Sequence, residues 1–222
     1  MIKTPSIFST KVVSDNHRKL MKLHGIHFVE KDFIEITYAK VTHLNLLDVV
    51  LITSKNALRS LIHHNQETFL QGKKIYCVGD SIPEILKKFH VPVIQSFKNA
   101  EDLGQFIVTQ NINEVTFLSG DKSRPELPRI LTENNIILKQ IITYHTEPVP
   151  SKVNGEFDGI LFFSPSAVES YVSKNAIGKE NIICIGNTTA KAVACYSKNI
   201  YVAEKHQVSS VIQKTIDLFQ NT

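Results

Sequence analysis

The chain repeats itself, and that limits it to a duplicated architecture. Residues 49 to 60, VVLITSKNALRS, place Ser54, Ala57 and Ser60 opposite Ser164, Ala167 and Ser170, at a constant offset of 110. Ile75 to Ile82 lie over Ile182 to Thr189 at an offset of 107, and Tyr144 answers Tyr38 at 106. Solenoid repeats recur every 20 to 50 residues or so, so a period near half of a 222-residue chain means two related domains.

Each half has two parts. Part A covers residues 5 to 38 and again 115 to 144. It reads as strand (Ser6 to Thr10), helix (Asn16 to His24, closed by Gly25), strand (Ile26 to Val29) and an extended IEITY. Part B covers residues 49 to 109 and again 159 to 219. It begins with strand Val49 to Thr53 and a helix from Asn56, then strand Ile75 to Val78 and helix Pro83 to Phe89. Strand Val91 to Ile94 and a helix from Ala100 complete it. Short apolar strands alternating with helices predict parallel β-α-β units, with about five strands in each sheet. The order A, B, A, B leaves open which A packs with which B. Sequential pairing gives two domains in line. Crossed pairing joins residues 1 to 36 with 150 to 222 and inserts 41 to 146. Both A parts end in long β-rich segments, IEITYAK and QIITYHTEPV, that can pair as an antiparallel ladder, which leans toward crossing.

Composition excludes several classes. Hydrophobic residues make up 42%, and no apolar run approaches the roughly 18 residues of a membrane span. MIKTPSIFSTK lacks the apolar region of a signal peptide, so a cytoplasmic protein is expected. A net charge of +4 without long Lys/Arg runs disfavours nucleic acid and membrane partners and suits a small anionic ligand. Cys77, Cys184 and Cys195 form no CxxC pair and read as buried reduced thiols. Neither His24 with His27 nor His63 with His64 has metal-pair spacing, so no metal is expected. GxGxxG, GxxxxGK[ST] and GxSxG motifs are absent.

The candidate chemistry lies in polar turns after the strands: Thr10-Lys11, Thr53 to Asn56, Gly79 to Ser81, Ser119 to Asp121, Ser164 to Ser166 and Gly186 to Thr189. In open α/β sheets ligands bind at the carboxyl ends of strands, and helix N-terminal amides there favour anions. The competing reading is that these residues only cap helices. Arg124, near a helix start where a cation opposes the dipole, is either a carboxylate clamp or a solvated surface side chain. Tyr144 can donate a hydrogen bond to a ligand if it faces a cleft; otherwise it packs.

Taken together, TSKNAL (Thr53 to Leu58), YCVGDS (Tyr76 to Ser81), SGDKSRPELPRIL with ITYHT (Ser119 to Thr146), FFSPSAVESY and CIGNTTAKAV (Cys184 to Val193) resemble the uroporphyrinogen-III synthase family. The match runs in order over nearly the whole chain. The resemblance implies two flavodoxin-like parallel-sheet α/β domains, one inserted into the other, with linker strands at 34–41 and 142–150 forming a two-stranded antiparallel ladder. It implies cyclisation of hydroxymethylbilane to uroporphyrinogen III, with dehydration and inversion of ring D, and no metal or organic cofactor. Tyr144 aligns with the tyrosine to which the family's dehydration is attributed. Lys11, Thr53, Ser54, Asn56, Ser81, Arg124, Ser164, Ser166, Thr188 and Thr189 would contact substrate carboxylates. Lys11 stands where the family often has Arg, keeping a cation but losing the bidentate fork. A monomer is implied, with transient contact with hydroxymethylbilane synthase. The alternative from another class is a non-catalytic two-domain sensor of a small anion, which would have no need of Tyr144. A transferase acting on a phosphorylated metabolite is a third reading, against which the missing P-loop counts.

Overall fold

Uninterrupted apolar runs become strands covered on both faces, because a polar side chain would face helices on either side. The computed structural model describes residues 4–42 and 44–220. The first part gives β1 (Ser6–Ser9), α1 (Asp15–Leu23), β2 (His27–Glu30) and β3 (Ile34–Tyr38). The second gives β4 (Val49–Ile52), α2 (Lys55–His63), β5 (Lys74–Val78), α3 (Ser81–Lys87), β6 (Val93–Phe97) and α4 (Ala100–Thr109). Then come β7 (Glu114–Gly120), α5 (Glu126–Glu133) and β8 (Ile137–Pro148). The last part gives β9 (Gly159–Phe162), α6 (Pro165–Val172), β10 (Asn181–Cys184), α7 (Asn187–Val193), β11 (Ile200–Val202) and α8 (Val208–Gln220).

The chain divides into two compact units. Unit 1 is Met1–Glu35 with Glu147–Thr222, and unit 2 is Ile36–Thr146. Unit 1 holds a five-stranded sheet in the order β11-β10-β9-β1-β2, with every neighbouring pair parallel. Numbered within the unit this is 2-1-3-4-5, the flavodoxin order of doubly wound sheets. Unit 2 is built around a six-stranded sheet, β3-β8-β7-β4-β5-β6. Its five parallel strands run 3-2-1-4-5, the other common doubly wound order. The sixth strand, β3, lies at the edge against β8. Ala39 N–H donates to the Thr143 carbonyl, and Val149 N–H donates to that of Phe33. Six residues back along one strand match six forward along the other, which is an antiparallel ladder.

Strand alternation divides each core into two layers. In β4, Val50 and Ile52 pack with Leu58, Leu61, Ile75 and Leu118, whereas Val49 and Leu51 pack with Leu103, Ile107, Phe117 and Leu131. In unit 1, Ile7 and Leu161 join Ile183 and Ile212, while Phe8, Ile160 and Phe162 join Phe33 and Tyr171. The Tyr171 ring lies 5.3 Å from Phe33 and 5.5 Å from Phe162, and burial pushes its phenol up to about 12. Cys77 and Cys184 are buried on matching strands. Burial raises both thiols, that of Cys184 to about 12. Cys195 departs from expectation, since it lies beyond the end of α7 and is exposed.

Four helix ends follow one recipe, whereas α6 and α7 end without a left-handed residue. Gly25, Asn65, His90 and Asn135 have φ of 68°, 54°, 56° and 59°. After each, the next N–H donates back to a carbonyl in the final turn, that of Met21, Leu61, Leu86 or Leu131. Such left-handed closures are ordinary for Gly and Asn but strained for His. This closure also moves β6 downstream of the expected Val91 start, because Val91 is used in the cap. A short 3-10 helix, Glu67–Leu70, has no periodic signal in the sequence. Replacing the exposed His90 by Gly is expected to stabilise unit 2 by about 1 kcal/mol. Thermal denaturation should show a rise of a few degrees, and an unchanged or lower midpoint would contradict the strain.

Candidate active site

In a doubly wound sheet the crevice forms where strand order reverses, because the connections on either side leave in opposite directions. In unit 2 that point lies between β4 and β7. Thr53 and Ser54 follow β4, and Gly120 closes β7 with Asp121 behind it. Ser54 is extended (φ −132°, ψ 132°) and caps α2, its Oγ accepting the Asn56 N–H at 3.2 Å. The helix is held in turn by buried Ser60, whose hydroxyl donates to the Thr143 carbonyl on β8. Thr143 is the neighbour of Tyr144, so this contact fixes α2 relative to Tyr144.

Tyr144 reaches the crevice from β8. The β7–β8 register shifts between Ser119 and Gly120, so that Gly120 pairs with Tyr144. A Cβ on Gly120 would lie 2.3 Å from Tyr144 Cζ and 2.5 Å from Cε2, so the ring rests directly on the glycine. The Tyr144 hydroxyl donates to Ser54 Oγ at 3.0 Å. Burial pushes the phenol above its ordinary value, the Ser54 hydrogen bond opposes that shift, and the charge of Asp121 adds to it. Asp121 itself staples the two strands. Its N–H donates to the Tyr144 carbonyl at 3.2 Å, and its carboxylate accepts the Thr146 N–H at 2.9 Å. His145 Nδ1 lies 3.5 Å from the other carboxylate oxygen. Beyond Asp121, Gln140 Nε2 donates to Ser119 Oγ at 2.8 Å and Ser123 Oγ at 3.1 Å, ordering the turn that leads to exposed Arg124.

Unit 1 reverses between β1 and β9. Thr10 is buried, and both its N–H and its hydroxyl donate to the Leu161 carbonyl, at 3.1 and 2.8 Å. Lys11 follows, exposed. Ser164 caps α6 by accepting the Ala167 N–H at 3.1 Å, with Pro165 in the first turn and Ser166 half-buried. Ser81 opens α3 after β5, and Thr188 and Thr189 open α7 after β10, so each lies one strand away from its reversal point. Thr188 is exposed, whereas Thr189 is 2% exposed, which leaves its backbone rather than its side chain to meet a ligand.

The structure therefore brings Thr53, Ser54, Asn56 and Tyr144 to one reversal point, and Lys11, Ser164 and Ser166 to the other. Sequence reasoning overlooked Gly120 as the seat of the ring, Asp121 as the staple and Ser60 as the anchor. Ser60 carried a signal in its match to Ser170, yet Ser170 Oγ is buried with no hydrogen-bond partner among the described residues. Among the described residues no three of His, Cys, Asp and Glu gather as a metal site, and no helix is long and apolar enough to cross a membrane.

These features define a doubly wound α/β protein of two units, each with polar residues at the carboxyl ends of the strands beside its reversal point. The family model for uroporphyrinogen-III synthase HemD matches residues 17–213, and the chain belongs to that family. A porphyrin biosynthesis protein HemD of Ruminiclostridium josui is 28% identical over 191 residues, which is 76% of this chain and 38% of that protein. A uroporphyrinogen-III synthase of Saccharomyces cerevisiae is 24% identical over 140 residues, 54% of this chain and 50% of that one. The chain thus spans half or less of the length of these curated relatives. The crystal structure of uroporphyrinogen-III synthetase from Helicobacter pylori 26695 shares the fold, with a TM-score of 0.73 at 19% identity. That likeness covers 96% of this chain and 99% of the other.

Gly120→Ala is expected to unseat the Tyr144 ring, because the methyl would occupy ring atoms. The phenol would then titrate closer to its ordinary value of about 10, as water reaches it. Tyrosine ring-carbon NMR across alkaline pH measures this, and an unmoved Tyr144 resonance would show that the ring does not depend on the glycine.

Proposed function

We propose that this chain is a uroporphyrinogen-III synthase, closing linear hydroxymethylbilane to uroporphyrinogen III with loss of water and inversion of ring D. The observation that carries the proposal is Tyr144: a half-buried phenol at the carboxyl end of the unit 2 strands, oriented by Ser54 and held protonated by burial and Asp121. The reaction needs a proton for the departing hydroxyl. A positioned general acid typically contributes about 10² to 10⁴ in rate, and a phenol raised above its ordinary value acts by hydrogen-bonded assistance more than by prior ionisation.

Substrate carboxylates suit the rest of both crevices. In unit 2, Thr53, Ser54, Asn56, Ser81 and Arg124 are the proposed contacts; in unit 1 they are Lys11, Ser164, Ser166, Thr188 and Thr189. Helix-start amides near Ser54 and Ser164 favour anions, each worth about 0.3 to 1 kcal/mol. Many such contacts shared among backbone N–H groups hold the folded bilane, so ring D meets its partner by geometry rather than through a dedicated base. With this reading go a monomer of the cytoplasm and brief contact with hydroxymethylbilane synthase.

Fresh hydroxymethylbilane supplied to the purified protein, followed by oxidation and chromatography of the porphyrins, tests the proposal. The bilane closes unaided to isomer I, so predominance of isomer III is expected. Tyr144→Phe should lower isomer III formation about 10² fold with folding intact. Isomer I alone from folded protein would remove the synthase reading.

A further inference from the structure

Ser54 Oγ takes two hydrogen bonds at once, from the Asn56 N–H at 3.2 Å and from the Tyr144 hydroxyl at 3.0 Å. A hydroxyl oxygen has two acceptor positions and one proton. With both acceptor positions filled, the Ser54 proton is directed away from both partners. Among the described residues two other side-chain caps differ: Asn99 accepts the Asp102 N–H at 2.8 Å and donates to the same residue's carboxylate, and Ser164 accepts the Ala167 N–H at 3.1 Å.

Loss of the phenol proton would reverse the roles. The Tyr144 oxygen would become an acceptor, and Ser54 could turn its hydroxyl toward it without moving either chain. Burial and the Asp121 charge both oppose a phenolate at this place, whereas Ser54 favours it. We propose that Ser54 is a positioning residue for the proton step at Tyr144, accepting from the phenol before transfer and donating to its oxygen as transfer proceeds.

The inference rests on the synthase reading above. In the step, the terminal C–O bond breaks with its electron pair going to oxygen, the phenol proton joins that oxygen, and water leaves. The charge left on Tyr144 meets the Ser54 hydroxyl. Ring closure releases one proton from the attacked pyrrole, which restores the phenol, so no other reactant is required. A contact that strengthens only as charge develops accelerates the step without tightening substrate binding.

Three variants test this, read by Tyr144 ring-carbon NMR titration and by the rate of isomer III formation. Ser54→Ala is expected to move the Tyr144 titration to higher pH and to lower kcat about tenfold, as loss of one hydrogen bond made in the transition state would, with little change in KM because the proposed carboxylate contact at Ser54 is made by its backbone N–H, which alanine keeps. Ser54→Thr keeps the hydroxyl and should restore both. Asn99→Ala removes a comparable cap in the same unit and should lower stability while moving neither. The proposal is overturned by an unmoved titration in Ser54→Ala, by a loss of rate that Thr does not rescue, or by an equal loss in Asn99→Ala. Because the titration needs no turnover, a wild-type protein that forms no isomer III would sink the synthase reading, and the Ser54→Ala titration would still decide the hydrogen-bond pairing.

Discussion

Strand β8 is hydrogen-bonded on both sides, parallel to β7 and antiparallel to β3, and the arrangement at the unit 2 crevice depends on that double pairing. β8 pairs with β7 from Ile137 to Tyr144 and with β3 from Thr143 onward, so Tyr144 sits where the two ladders meet, and a slip by one residue would break both and turn every side chain to the opposite face. The register shift at Ser119/Gly120 is therefore a placed irregularity, which aims Tyr144 toward Ser54 and sets its ring on Gly120. Asp121 and Ser60 then tie the carbonyls and amides around Tyr144 to neighbouring elements.

The physical effect is preorganisation. A tyrosine in a strand ordinarily packs, and Tyr144 does pack, partly buried against the Ile52 and Leu118 layer. Its hydroxyl is nonetheless fixed by a residue already committed to capping a helix. A cap contributes about 1 kcal/mol to stability, so the same Ser54 oxygen serves the fold of α2 and the orientation of the phenol. Because burial and the Asp121 charge outweigh the Ser54 hydrogen bond and favour the neutral phenol, the proton stays on Tyr144 until something accepts it.

Similarity between the halves does not extend to identical use. Ser60 and Ser170 occupy equivalent repeat positions, yet Ser60 bridges to β8 whereas the Ser170 hydroxyl has no partner among the described residues. The two sheets share one spatial order of repeat parts, β11-β10-β9-β1-β2 matching β6-β5-β4-β7-β8, so the reversal point falls between equivalent strands in both units, and only the order in which the chain visits them differs, 2-1-3-4-5 against 3-2-1-4-5. The repeated sequence encodes local strand, turn and helix in both places and sets equivalent turns beside the two reversal points, and the side-chain contacts made there differ.

Much was legible in the sequence. The 110-residue repeat, the apolar strands and the polar turns at Thr53-Ser54 and Ser164 rest on local periodicity and capping chemistry, which act within a few residues. The place of Cys195, the 3-10 helix at Glu67–Leu70 and the start of β6 were not legible, since closing contacts rather than periodicity determine them. From the residues alone the crossed arrangement leans on the likeness of two β-rich segments, and the family resemblance implies it; the pairing of β3 with β8 shows the ladder itself. What the sequence by itself determined is the kind of element at each position and the chemical character of each turn. Tertiary structure alone decided that the Tyr144 ring rests on Gly120 and its hydroxyl meets Ser54, because those contacts join residues 24 and 90 positions apart and exist only once β4, β7 and β8 lie side by side.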